Sequence, residues 1–157
     1  MNKVIILLFA ISLSLFSSCK KDEVVPPTPT LTQGKATFKV GSVEKMFTKA
    51  NSFNSGILAL GNTSDEVVSL SFPIPTTFPT TYDMTATEMI SASYILNGTI
   101  YNATNGISGI GAQGDLLITI EKYTNANISG TFEFTAINGN NEQVVITQGV
   151  FTDIPDL

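Results

Sequence analysis

The fold is decided by residues 129–151, which read SGTFEFTAINGNNEQVVITQGVF. Phe132 and Phe134 stand two positions apart, and Val144 and Ile146 repeat this spacing beyond a turn rich in Asn and Gly. Side chains two apart lie on the same face of a strand. The segment therefore predicts an antiparallel hairpin whose apolar face packs against an opposite sheet.

The alternation of apolar and polar residues extends through residues 34–157. Gly149 is expected to mark a β-bulge, and Asn97-Gly98 is the strongest signal for a two-residue hairpin turn. Residues 83–89 are expected to hold one helical turn, although helical periodicity is nearly absent elsewhere. Short connections favour antiparallel pairing. The prediction is an all-β domain, either an antiparallel β-sandwich or a flattened β-barrel, of about nine to ten strands.

The charges of the chain exclude several classes of partner. Its 8 basic residues are all Lys and stand against 13 Asp and Glu residues, which gives a formal net charge of −5. A domain of this sign offers no basic surface to a phosphate backbone. We therefore expect no nucleic-acid partner and no binding to anionic lipid head groups.

The residue types that are missing exclude most catalytic chemistry. The chain contains no His and no Trp, and its one Cys is at position 19. Triads with a His base, zinc sites built on His or Cys, and disulfides are therefore impossible within the chain. We expect no catalytic residues, no cofactor and no metal site. A Ca²⁺ ion held by loop carbonyls and one carboxylate stays open as an alternative.

Residues 1–18 have the pattern of a signal peptide that is removed. A short basic start precedes an apolar run over residues 4–16, which is shorter than the roughly 20 residues of a membrane-spanning helix. The run ends in Leu15-Phe16-Ser17-Ser18-Cys19, which resembles the lipobox of bacterial lipoproteins. The resemblance implies cleavage between Ser18 and Cys19 and a lipid on the Cys19 sulfur. Two or more acyl chains would anchor the protein stably in a membrane.

The residues after Cys19 predict an export signal and a linker. Lys21, Asp22 and Glu23 resemble the surface-export signal of Bacteroidetes lipoproteins, and the alternative is a solvated charge cluster beside the membrane. Residues 19–33 form a lipidated, Pro- and Thr-rich linker, which favours an extended polyproline II conformation. The domain organisation is thus a signal peptide over residues 1–18, this linker, and a single β domain over residues 34–157.

The hairpin of residues 129–151 looks like the C-terminal signature of a family of small Bacteroidetes surface lipoproteins of unknown function. Residues 34–48 are similar to the start of that family. The resemblance implies a β-rich lipoprotein that is anchored in the outer membrane and faces the cell exterior. It supplies no catalytic residues.

Two hypotheses of function remain. The first is a non-catalytic binding or structural β domain with a glycan or a protein as its partner. The alternative is a carboxylate-only hydrolase acting on extracellular glycan, which would need two carboxyl groups about 5–10 Å apart across a cleft. The candidate carboxylates are scattered along the chain: Asp65, Glu66, Asp83, Glu88, Asp115, Glu121, Glu133 and Glu142.

The four Tyr residues of the domain are candidates for contacts with a glycan. Tyr82, Tyr94, Tyr101 and Tyr123 could offer stacking faces to sugar rings. The alternative is that they form cross-strand pairs and fill the edges of the core.

Overall fold

The computed structural model describes residues 34–49, 51–106, 111–124 and 126–157. Its regular structure is entirely β-strand, which confirms the predicted fold class. Eleven strands are present where nine or ten were expected: β1 Lys35–Val40, β2 Val43–Phe47, β3 Ser52–Asn54, β4 Ile57–Thr63, β5 Glu66–Ser71, β6 Thr80–Asp83, β7 Ser91–Leu96, β8 Thr99–Thr104, β9 Asp115–Tyr123, β10 Asn127–Ile137 and β11 Gln143–Pro155.

The helical turn expected over residues 83–89 is wrong. The Asp83 carboxylate accepts hydrogen bonds from the backbone N–H and the hydroxyl of Thr85, at 2.8 and 2.6 Å. The Ala86 N–H also bonds the Asp83 carbonyl at 3.0 Å. An Asp side chain that bonds the backbone two residues on forms an Asx turn, which competes with helix formation.

The strands form a curled antiparallel sheet that makes a half-barrel. The main path of the sheet runs β2-β1-β11-β10-β8-β7-β5-β4-β3. Strand β10 has two neighbours along one edge, because residues 128–135 pair with β9 and Ile137 pairs with Asn102 of β8. Strand β9 in turn pairs with β6. The sheet therefore forks along β10.

Gly114 lies at this fork and shows why a glycine is needed there. A Cβ on Gly114 would lie 2.0 Å from the Thr135 carbonyl oxygen and 3.1 Å from the Cβ of Ala103. The residue also has a φ of +72°, which glycine adopts without steric cost. Gly114 thus allows the chain to pass from β8 into β9 between two closely spaced strands.

The predicted apolar face of the C-terminal hairpin is confirmed. Phe134 pairs with Ile146 across β10 and β11, and Phe132, Phe134 and Ile146 are buried while Val144 is half-buried. The rings of Phe132 and Phe134 are stacked with centroids 6.3 Å apart. Phe132 also lies 5.9 Å from Phe38 of β1. This cluster packs β10 and β11 against β1 in the core.

Polar contacts join β2 to β5 and β7. The Tyr94 hydroxyl donates to Oε1 of Glu66 at 2.6 Å, and Nζ of Lys45 lies 2.9 Å from the same oxygen. Burial raises the pKa of Glu66, but the hydrogen bonds from Tyr94 and Lys45 outweigh it and hold the pKa below its usual value. The charged carboxylate is therefore the form that joins these strands.

A second set of contacts joins β3 and β9 to the residues after β11. Phe53 forms a parallel bridge with Asp156. The Tyr123 hydroxyl donates to Oδ2 of Asp156 at 2.6 Å, and its ring packs edge-on against Phe53 with centroids 5.5 Å apart. The hydrogen bond to Asp156 raises the pKa of Tyr123. The two branches of the forked sheet are thus tied together at this end.

Candidate binding groove

Strand β11 contains two bulges of the same form. Phe132 pairs with Gly149 and Phe134 with Ile146, so that Thr147 and Gln148 together face Glu133 alone. A second register shift places Thr152 and Asp153 opposite Ser129. Gln148 and Asp153 have φ values of +53° and +50°, in a region that residues other than glycine seldom adopt. The bulge predicted at Gly149 is confirmed, with Gln148 as its left-handed residue.

Gly149 allows the backbone next to the bulge to pack closely on Phe132. A Cβ at this position would lie 2.4 Å from the carbonyl oxygen of Phe132 and 2.7 Å from its ring. The backbone of β11 therefore packs directly on Phe132, and the preceding residue Gln148 is exposed. Bulges commonly re-aim a side chain in this way beside functional sites.

The surface around Glu133 is concave. Two adjoining depressions, of about 310 and 250 Å³, share Leu117 and Glu133 in their walls. A third, of about 180 Å³, lies on the other side of Gln148 and is also lined by Lys39 and Glu44. We refer to the three together as the outer groove. It runs over the strands β9, β10, β11, β1 and β2.

The lining of the outer groove mixes hydrogen-bonding and apolar groups. Glu133 and Gln148 are exposed carboxylate and amide groups, and Thr131 of β10 supplies a hydroxyl. Leu117 and Val150 are 37% and 43% exposed in the same depression. The groove therefore offers hydrogen-bond acceptors, donors and apolar contacts within a short distance.

The structure brings together two of the eight domain carboxylates named from the sequence. Asp115 and Glu133 line the same depression. Leu117 of β9 pairs with Glu133 of β10 on one side and with Asp83 of β6 on the other. Glu66 belongs to the contact with Lys45, and Glu142 accepts a hydrogen bond from Asn138 in the β10–β11 turn at 2.6 Å. Sequence reasoning placed Glu133 on the outward face of its strand but did not identify Gln148.

The Tyr residues are not assembled into a sugar-stacking platform. Tyr82 and Tyr94 are buried. Tyr101 pairs across the strands with Tyr94, with ring centroids 6.4 Å apart, and Tyr123 packs on Phe53. These arrangements correspond to the cross-strand and core-edge alternative.

The described residues contain neither a metal-binding cluster nor a membrane-spanning helix. No group of three or more His, Cys, Asp or Glu side chains in those ranges is placed to hold a metal ion. The same ranges contain no helix with the length and apolar character needed to span a membrane. The predicted processing and export residues, Ser18, Cys19, Lys21, Asp22 and Glu23, lie outside the described residues.

Comparison with known proteins assigns the chain to a family but finds no individual relative. No curated protein matches the chain, and no solved structure matches it. A family model does match, and it extends over nearly all of the β domain. The chain belongs to the family described as Domain of unknown function (DUF6252), which covers residues 33–155.

Proposed function

We propose that this protein is a lipid-anchored lipoprotein of the outer membrane, displayed on the cell surface, whose β domain is a non-catalytic module that binds glycan in the outer groove. The lipobox-like segment that ends at Cys19 supports the anchor, and Lys21, Asp22 and Glu23 support display. The linker over residues 19–33 would separate the domain from the membrane.

The main observation in support of a binding role is the position of Gln148 in the bulge of β11. A residue other than glycine in the left-handed region costs about 1 kcal/mol or more, and a glycine at this bulge would avoid that cost. The exposed Gln148 side chain instead lies between two depressions of the outer groove, opposite Glu133. Asp153 shares the left-handed backbone but does not line the groove, so the combination of this backbone with the place of Gln148 in the groove is what supports a role in binding.

The chemistry of the groove favours a neutral glycan over an anionic one. Sugar hydroxyls donate to carboxylates such as Glu133 and both donate to and accept from amides such as Gln148. Leu117 and Val150 are suited to contact the apolar C–H face of a sugar ring. Asp115 and Glu44 add two negative charges to that of Glu133, against the one positive charge of Lys39. The lining is therefore net negative, and a sulfated or uronic-acid ligand would be repelled.

Replacing Gln148 with glycine tests the binding role without endangering the fold. Glycine accepts a φ of +53° without strain, so we expect the urea midpoint to stay the same or rise. We expect affinity for a glycan found by array screening of the lipoprotein to fall about five- to thirtyfold, since one or two hydrogen bonds are lost. Isothermal titration calorimetry measures this change.

Asp153→Gly is the matched control for this substitution. Asp153 occupies the same position in the second bulge of β11, with a φ of +50°, and it is not part of the outer groove. We expect it to change stability in the same direction as Gln148→Gly while glycan affinity stays at the wild-type value. Equal losses of affinity in the two variants would place the binding site elsewhere.

A carboxylate-only hydrolase is the second candidate, because Asp115 and Glu133 line one depression. Both side chains are exposed on an open surface, whereas a glycosidase holds its acid and its base on either side of a bound sugar. Release of reducing ends from a bound glycan, abolished in both Asp115→Asn and Glu133→Gln, would establish the hydrolase. Binding without release supports the non-catalytic module.

Surface display is expected to depend on Lys21, Asp22 and Glu23. Replacing all three with Ala should leave the protein lipidated but protect it from protease added to intact cells. A matched control replaces Thr28, Thr30 and Thr32 with Ala in the same linker and should leave protease access unchanged. If the first variant is digested as fast as the wild type, these residues are a solvated charge cluster.

A further inference from the structure

Three Asn-Gly steps occur in the domain, at residues 97–98, 105–106 and 138–139. In such a step the small Gly allows its backbone nitrogen to reach the side-chain carbonyl of the preceding Asn. The three steps have the same local chemistry. The structure places them in different surroundings, and the difference concerns how firmly each Asn amide is held.

The amides of Asn105 and Asn138 are each held by three hydrogen bonds. Asn105 donates to the carbonyls of Ala86 and Glu88 at 3.1 and 2.8 Å and accepts from the Ile90 N–H at 3.2 Å. Asn138 donates to the Glu142 carboxylate at 2.6 Å. It also accepts from the N–H groups of Asn140 and Glu142, both at 2.9 Å. Neither amide can rotate towards the next nitrogen without breaking these bonds.

The surroundings of Asn97 differ from those of the other two residues. It is the first residue of the two-residue turn between β7 and β8, where Leu96 pairs with Thr99 and both turn residues have positive φ, +50° and +81°. Its side chain is exposed, and within the described ranges it makes no side-chain hydrogen bond. The space around the Gly98 Cα is open, as it is at Gly139, because a Cβ placed at either glycine would have no atom within 4 Å apart from its chain neighbours.

We infer that Asn97 is a site of spontaneous deamidation in the folded protein, whereas Asn105 and Asn138 are protected by their hydrogen bonds. The deprotonated backbone nitrogen of Gly98 attacks Cγ of Asn97 and forms a new N–C bond. The bond from Cγ to the amide nitrogen breaks, and that nitrogen leaves as ammonia with the added proton. Solvent water then opens the cyclic imide at either carbonyl, which yields Asp or isoaspartate.

The modification would alter the tip of the β7–β8 hairpin. The Asn97 N–H bonds the Asp65 carbonyl at 2.8 Å, so a new carboxylate would lie beside the exposed Asp65. An isoaspartate also adds one methylene to the backbone of the turn. We therefore expect the change to loosen the contact between the 63–65 turn and this hairpin.

The test is peptide mapping of the full lipoprotein in mild detergent after incubation at mildly alkaline pH. Chymotrypsin separates Asn97 from Asn105 because Tyr101 lies between them. We expect conversion at Asn97 to be at least about tenfold faster than at the other two sites, since each hydrogen bond is worth about a fivefold factor. In urea, the three sites should convert at similar rates.

The Glu142→Ala variant tests the cause of protection. It removes one of the three hydrogen bonds of Asn138, so conversion at Asn138 should rise while conversion at Asn105 stays unchanged. Native rates at Asn105 or Asn138 that equal the rate at Asn97 would overturn the inference. An unchanged rate at Asn138 in Glu142→Ala would also overturn it, because the hydrogen bonds would then not be what protects the amide.

Discussion

Phe134→Ala is expected to reduce the free energy of unfolding of residues 34–157 by about 3–5 kcal/mol, the usual cost of removing a buried Phe side chain. Phe134 is 3% exposed, stacks on Phe132 and pairs with Ile146. A domain of this size has only about 5–15 kcal/mol of stability in total. The urea midpoint should therefore fall sharply.

Thr135→Ala is the matched control, because Thr135 is the next residue on β10 and lies on the opposite face of the sheet. It is half-buried and pairs with Val145 and Asp115. We expect its loss to cost less than about 1 kcal/mol, as for most substitutions away from the core. A cost equal to that of Phe134→Ala would show that the inward face of β10 has been assigned wrongly.

Cys19→Ala is expected to abolish lipid attachment. The variant should take up no labelled palmitate and should accumulate as a precursor that keeps residues 1–18, because cleavage before Cys19 is expected to follow lipidation. Without acyl chains, the variant would lose its proposed membrane anchor. Metabolic labelling and fractionation of cells measure both effects.

Ser17→Ala is the control for this experiment, since it keeps a small residue before the Cys. We expect it to be labelled and processed as the wild type is. If Cys19→Ala is still labelled and still sediments with membranes, the lipobox interpretation is wrong and another anchor must be sought.

The strands that could be predicted are those whose residues alternate strictly. Phe132 and Phe134 on β10, and Leu116 and Ile118 on β9, lie two apart and are buried. Strand β3 could not be predicted because it has three residues and one buried side chain, Phe53. Its pairing with β4 and with Asp156 is made by distant parts of the chain.

The outer groove was harder to predict than the core for a physical reason. Alternation identified Thr131, Glu133 and Thr135 as the outward face of β10, but the shape of a surface depends on its neighbours. Two bulges interrupt the alternation of β11, so the position of Gln148 beside Glu133 follows from backbone geometry. Gly149 was the signal in the sequence, and it indicated a bulge without showing which side chain the bulge would expose.

The pairing of β1 with β11 has a consequence for the order in which the domain can fold. Ala36 pairs with Phe151, so the first strand must wait until nearly the whole domain has been synthesised before its long partner exists. Contacts of such large sequence separation make folding slow. A chain that completes its sheet late stays unfolded for longer, which would favour the export across a membrane that we propose.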